Sequence, residues 1–204
     1  MEKEYRHILG RFSEDRVCSM LSGIGKANAA MCAASLIERR HPEAVISAGA
    51  AGSFAEGVRV GDVILSTRVA YHDVWCGEES GPGVVQGMPK FFEADPLLLD
   101  RARKAFVGAK PGLVITGDQF YIGEEEDLRQ KSLYPDALAV DMEAAAVAQV
   151  CFTYGVPFLA VKVVSDTHGG GLQGEQYEAF WREKSEDAFD LLAGLAESLL
   201  LLDD

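Results

Sequence analysis

A chain of 204 residues, 48% hydrophobic and 25% charged, has the makeup of one globular domain spanning 1–204. Its formal charge of -13 argues against nucleic acid and, more weakly, against acidic membrane surfaces, since both need clustered Lys and Arg. A neutral or cationic small molecule fits that balance better.

Cys18, Cys32, Cys76 and Cys151 form no CxxC pair and show no metal-ligand spacing, and three sit in apolar contexts typical of reduced thiols. Residues 1–11 are charged throughout, unlike a secretory signal. The apolar tail 191–202 is interrupted by Glu197 and too short to span a bilayer. A cytoplasmic protein without a membrane partner is expected.

Residues 1–16 carry few apolar side chains, and Leu9-Gly10 has the form of a helix end. A short strand is expected over 17–21, meeting Ser22-Gly23-Ile24-Gly25. The Ala-rich stretch 26–40, with Met31, Ala34, Leu36 and Ile37, predicts a helix packed closely on a sheet. Glycines ahead of a helix let the backbone approach a ligand or a neighbouring strand, and both readings stand. A buried strand over 44–47 leads into Ala48-Gly49-Ala50-Ala51-Gly52-Ser53, a ligand-hugging run or a tight crossover. A further strand covers 60–70, with Gly61-Asp62 as a turn inside its start. Residues 71–76 continue it outward, and 77–87 read as an exposed loop.

Asp95-Pro96 opens a helix running to about 106. A strand over 112–116 ends in Gly117-Asp118-Gln119-Phe120-Tyr121, and an acidic helix covers 124–133. The apolar run 137–140 ends in Asp141-Met142-Glu143, with an Ala-rich helix immediately behind it. The run 157–164 is almost wholly apolar, as central parallel strands are, and ends in Ser165-Asp166. A glycine-rich loop, 167–174, precedes one closing helix over about 175–201, with Phe180, Phe189, Leu192, Leu195 and Leu199 at mainly helical spacing. Alternating strands and helices predict a three-layer α/β/α domain around a central sheet.

Two carboxylates where a strand hands over to a helix lie at the mouth of an α/β sheet, where ligands bind. On spacing alone the plainer alternative leads: Asp141 caps the helix and Glu143 complements its dipole.

Four pieces line up in order: SGIGKANAA; AGAAGSF followed by VGDVILS; ITGDQFY; and AVDMEAAAVAQVC with VKVVSDT behind it. Together they resemble the purine nucleoside phosphorylase and nucleosidase superfamily, and within it the 5′-methylthioadenosine/S-adenosylhomocysteine nucleosidases, from about residue 17 onward. The resemblance implies a mixed twisted sheet closing into a distorted barrel with flanking helices. Because the chain opens inside the family's acidic segment, its N-terminal strand is expected to be missing.

The implied activity is cleavage of the bond between adenine and a modified ribose, with no cofactor, in a homodimer whose small-molecule partner is an adenine nucleoside. Asp166, with Ser165 beside it, would protonate the purine at N7. Glu143 would accept hydrogen bonds from the ribose hydroxyls, and Met142 would pack on the sugar. Phe120 would stack on adenine, the Tyr121 main chain would read the base edge, and Ala51 and Gly52 would line the pocket. Tyr177 is a lid candidate, with core packing as its equal alternative. The MEKEY start resembles the family's acidic motif and would make Glu4 the base that activates water. His72 matches the family too, but an interface or strand-end role outweighs acid/base work.

These residue types suit the chemistry. Glycoside cleavage needs an acid on the leaving group, negative charge near the oxocarbenium ion and a positioned nucleophile. An Asp that donates near neutral pH must be shielded from water or bonded in its neutral form. Phosphorylase relatives carry an arginine just before the small-residue run and a serine within it; Ser47 and Ala50 stand there, so water is the expected nucleophile. The alternatives are a hydrolase of another nucleoside such as futalosine, a phosphorylase, and a nucleoside-binding protein with impaired catalysis.

Overall fold

The computed structural model describes residues 17–120, 124–168 and 172–200. The strands are β1 (Val45–Ser53), β2 (Val63–Tyr71), β3 (Phe92–Glu93), β4 (Lys110–Thr116), β5 (Ala137–Asp141) and β6 (Phe158–Thr167). The helices are α1 (Lys26–Arg40), α2 (Pro96–Ala105), α3 (Glu124–Leu133), α4 (Ala144–Tyr154), α5 (Gln173–Glu183) and α6 (Ser185–Leu200).

The strand order is β3-β2-β4-β5-β1-β6, and β2 also pairs with β6. That extra pairing, antiparallel from Val63↔Val163 to Leu65↔Val161, closes the sheet on itself with β3 appended. The β1/β6, β2/β4 and β4/β5 pairs are parallel and the β1/β5 pair is antiparallel, so the sheet is mixed. β6 is flanked by β1 on one side and β2 on the other, and it is buried almost end to end. This explains its near-continuous apolar sequence.

Helices cover the sheet on two sides. Ala29, Ala33 and Ile37 of α1 recur every four residues and meet the alanines of α4 together with Val69, Val114, Ala160 and Val164. Small side chains let these two helices lie close to each other and to the sheet. On the other side Phe180 and Leu192 pack against Val63, Leu65, Leu159, Val161 and Val163. Local chemistry sets the ends: Asp95 caps α2 by accepting from the Leu97 and Leu98 amides, and Gly155 ends α4 in the left-handed conformation at φ 69°.

Four expectations need correction. Among the described residues 17–21 form no strand, and Met20 and Leu21 are exposed. A strand requires a neighbour to complete its ladder, and a short apolar run does not guarantee one. The run Ala48–Ser53 is neither loop nor crossover: β1 continues through it, laddered to β6, with a bulge at Ala51/Gly52. β6 likewise runs on to Thr167, taking Ser165 and Asp166 into the ladder. The closing helix is two helices, broken at Lys184 (φ -130°), where the Ser185 hydroxyl donates to the Trp181 carbonyl. Phe180 and Leu192 are buried as expected, while the side chains of Phe189, Leu195 and Leu199 lie outside the described set, as does the N-terminal segment.

Candidate active site

The two carboxylates after β5 have different duties. Asp141 is buried and saturated: it accepts from Thr116 Oγ1 at 2.5 Å, from the Ala144 amide at 3.0 Å and from Lys162 Nζ at 2.8 Å. Both charged side chains of the Asp141–Lys162 pair are almost wholly out of water, at 0% and 2% exposure. Asp141 is therefore a cap and an anchor. Glu143 begins α4 with φ -135° and makes no capping bond of its own. Its Oε1 instead accepts from the Gly25 amide at 2.9 Å. Burial raises its pKa above the usual carboxylate range; Lys162 opposes the shift and Asp141 adds to it.

That bond answers the question left by the SGIG turn. Gly25 sits at φ 88°, and a Cβ there would lie 2.9 Å from Asp118 Oδ1, so only glycine presents its amide to Glu143 at this point. The turn is held from below as well. Lys26 Nζ donates to both Asp73 oxygens at 2.7 Å, Lys26 N donates to Asp118 Oδ1 at 2.8 Å, and the Asp118 amide donates to Asp73 at 2.8 Å.

Asp166 lies on the neighbouring side of β1. Gly52 is the register partner of Val140 on β5 and of Asp166 on β6, so the two carboxylate-bearing strand ends flank β1. Two interstrand steps separate them by about 10 Å, room for a sugar and its base. Asp166 is 3% exposed. Burial raises its pKa, against the lowering influence of a hydrogen bond from Ser165 and the charge of His168. The Ser165 hydroxyl lies 2.7 Å from Asp166 Oδ1 and 3.2 Å from the Ala51 carbonyl, and its single proton serves one acceptor at a time.

The second oxygen of Asp166 faces His168: Nε2 lies 3.7 Å from Oδ2. The other imidazole nitrogen, Nδ1, lies 2.6 Å from Asp127 Oδ1 on α3. Gly52 makes this possible, because a Cβ there would lie 2.6 Å from His168 Nε2 and 3.1 Å from Asp166 Oδ2. Gly52 thus faces the acid, while Ala51 offers its carbonyl to Ser165 and buries its methyl in the core.

Phe120 is 49% exposed, which excludes a core role. Its ring meets Tyr177 of α5 edge to face at 5.2 Å and 72°, and Tyr177 meets Trp181 in the same way at 5.9 Å. Met142 and Tyr177 are half-buried. Tyr121 and Glu4 lie outside the described residues. His72 is a buried strand-end residue whose pKa burial lowers, with Nδ1 3.4 Å from Gln130 Nε2. Sequence reasoning missed Asp127, His168 and Lys162. A lysine inside an apolar strand signals a buried anion, so Lys162 was findable; nothing local links Asp127 to His168.

A protonatable aspartate and a half-buried glutamate at the strand ends that flank β1, in a closed mixed sheet, fit the Phosphorylase superfamily, which the sequence matches over residues 2–197. The chain is 42% identical to the 5′-methylthioadenosine/S-adenosylhomocysteine nucleosidase of Marinomonas sp. (strain MWYL1) over 171 residues, which cover 79% of this chain and 73% of that one. The Staphylococcus epidermidis nucleosidase is 34% identical over 201 residues, 95% of this chain and 87% of its own. Among solved structures, the S. pneumoniae nucleosidase with the transition-state inhibitor MT-ImmA superposes with a TM-score of 0.86 at 28% identity, covering 98% of this chain and 96% of that one. The chain belongs to the 5′-methylthioadenosine/S-adenosylhomocysteine nucleosidase family.

Proposed function

We propose that the protein hydrolyses the N-glycosidic bond of 5′-methylthioadenosine or S-adenosylhomocysteine, releasing adenine. The observation that carries this reading is Asp166: a buried carboxyl with a raised pKa, one strand away from the β5 end that bears Glu143. Asp166 donates its proton to purine N7 as the C1′–N9 electron pair leaves with the base. Glu143 holds the ribose hydroxyls and places negative charge near the oxocarbenium ion, Met142 packs on the sugar, and Phe120 with Tyr177 closes over adenine. Ser165 and Ala51 orient the acid, and the Tyr121 main chain reads the base edge. Water, oriented by Glu4, attacks C1′ and gives its proton to that carboxylate.

Water rather than phosphate is the nucleophile because Ser47 and Ala50 occupy the places of the phosphorylase arginine and serine, and Lys162 is committed to Asp141. Adenine release is measured from both nucleosides, and from futalosine as the alternative substrate, with and without phosphate. Phosphate-independent release, with kcat lowered by about 10²–10⁴ in Asp166→Asn and Glu143→Gln, is expected. A strict phosphate requirement, or full activity of Asp166→Asn, overturns the reading.

The same reading includes a cytoplasmic homodimer. Cys18, Cys32, Cys76 and Cys151 are all free thiols, which suits a reducing compartment. No helix of the described residues is long and apolar enough to cross a membrane. Exposed Met20, Leu21 and Ile24 ahead of α1, Met31 on it, and Trp75 just beyond the Asp73–Lys26 pair supply apolar surface for a second copy. Sedimentation at a monomer mass would refute the dimer.

A further inference from the structure

In the mechanism above Asp166 gives up a proton in every turnover, and that proton must be replaced on a carboxyl that is only 3% exposed. Among the described residues the direct partner of Asp166 Oδ1 is Ser165, a hydroxyl that can steer a proton but not store one. Oδ2 faces His168 Nε2 at 3.7 Å, and His168 Nδ1 is 2.6 Å from Asp127 Oδ1. A carboxylate only accepts, so Nδ1 carries a proton and points Nε2 at Asp166.

We propose that His168, held by Asp127, reloads Asp166 with its proton, making the acid one end of an Asp127–His168–Asp166 relay. The inference rests on the nucleosidase reading and deepens it. His168 acts through Asp166 and is a positioning residue rather than a group that touches substrate.

The construction of the site favours this role. The two imidazole nitrogens face carboxylates on separate elements, α3 and β6, and both ends of the His168–Asp127 contact are 10% exposed, so the pair is nearly enclosed yet still reaches solvent. Phe54 meets the imidazole edge to face at 6.3 Å and carries Lys131 above its own ring at 6.0 Å. The charged groups facing His168 among the described residues are therefore Asp127 and Asp166, with Lys131 beyond Phe54. The His168 backbone is pinned too, its amide donating to the Ser53 carbonyl at 2.6 Å. The absent side chain of Gly52 leaves the space in which Nε2 and Oδ2 meet.

The step balances without a co-reactant. Imidazolium Nε2–H gives its proton to Asp166 Oδ2, leaving a neutral imidazole still protonated on Nδ1 and a neutral carboxylic acid. The acid passes the proton to purine N7 as the glycosidic electron pair leaves with the base, and the imidazole takes the next proton from solvent. Substrate binding drives the first transfer: excluding water makes a separated cation and anion costlier than two neutral groups. The separation of 3.7 Å is long for direct transfer, and contacts of this kind tighten in the substrate complex.

The test compares kcat and KM against pH for wild type, His168→Asn, His168→Gln and Asp127→Asn. In wild type His168 can resupply the proton that Asp166 loses. Without His168 the carboxyl alone must hold it, so the alkaline limb of kcat is expected to move down by about one pH unit or more. Asp127→Asn moves it the same way by less. At about pH 8 kcat falls about tenfold or more in His168→Asn, by much less at about pH 6, with KM little changed. A drop of equal size at every pH, or superimposable profiles, would overturn the proposal and leave His168 a structural clasp. Nitrogen-15 histidine NMR supplies a readout independent of turnover. The His168 midpoint, assigned by its loss in His168→Asn, should fall in Asp166→Asn, and an unmoved midpoint overturns the coupling. A wild type that releases no adenine sinks the nucleosidase reading, while the NMR experiment still decides the relay.

Discussion

Gly52→Ala puts one methyl group where β1 passes between the two carboxylate-bearing strands. Its Cβ would stand 2.6 Å from His168 Nε2 and 3.1 Å from Asp166 Oδ2. Non-bonded heavy atoms rest at about 3.5 Å or more, so the imidazole must retreat by about 1 Å or swing out of line. Gly52 has no left-handed φ, so the backbone accepts alanine and the whole effect comes from this collision. A misplacement of about 1 Å in catalytic machinery costs about 10²-fold in rate, close to 2.7 kcal/mol in activation free energy. The assay is steady-state adenine release at neutral pH, with thermal melting as a check that the barrel still closes. Removing the ring should remove most of the penalty, so Gly52→Ala/His168→Ala should be little slower than His168→Ala alone. A single Gly52→Ala variant within about threefold of wild type, or a double variant slowed by the full product of the two, would refute the reasoning.

Other outcomes follow from the same geometry. Lys162→Met leaves Asp141 buried with its cation gone, which should cost about 3–5 kcal/mol, or on the order of 10 °C in melting temperature for a chain of this size; Lys162→Met/Asp141→Asn should recover much of it, and a single variant that melts with wild type would show that the pair is not truly desolvated. Asp166→Asn should raise the melting temperature at neutral pH. Burial lifts the folded pKa of Asp166 above its unfolded value, so the folded state binds the extra proton. The stabilising contribution is complete below the unfolded pKa and is lost as pH rises through the folded one. The advantage of Asn should therefore shrink on acidification, and a variant less stable than wild type at neutral pH would contradict the assignment. Asp95→Ala removes two capping bonds far from the acid and should cost about 1 kcal/mol with kcat unchanged, read by urea unfolding beside the activity assay.

Much of the fold could be read from sequence because most of its strands are apolar runs between turn-forming residues. The failures have physical causes. Ala48–Ser53 carries no β-branched side chain, so its strand character comes from its neighbours rather than from propensity. The break at Lys184 has neither glycine nor proline to announce it. In the site, Asp166 and Glu143 stand out in the sequence because each follows closely on an apolar run. The separate duty of Asp141 was foreseen, but its full set of bonds depends on Thr116 and Lys162, which only tertiary packing brings to it. Asp127 and His168 stand 41 positions apart, on an acidic helix and after a strand, and no periodicity joins them. The glycine at 52 was visible as a glycine; that it makes room for an imidazole was not.

The pairing of β6 on both sides also bears on how the molecule breathes. Amides bonded on a strand held by two neighbours exchange with solvent only when the domain opens as a whole, whereas elements with few buried side chains open locally at far lower cost. Val161–Val163 belongs to the first class, and Asp166 follows three positions later on the same strand. α5 belongs to the second, with Phe180 its one fully buried residue, and it carries Tyr177 toward Phe120. Deuterium uptake should therefore be slow around the acid and faster along α5. On the nucleosidase reading, nucleosides enter and leave by excursions of α5, while the carboxyl that protonates the leaving base stays where the barrel holds it.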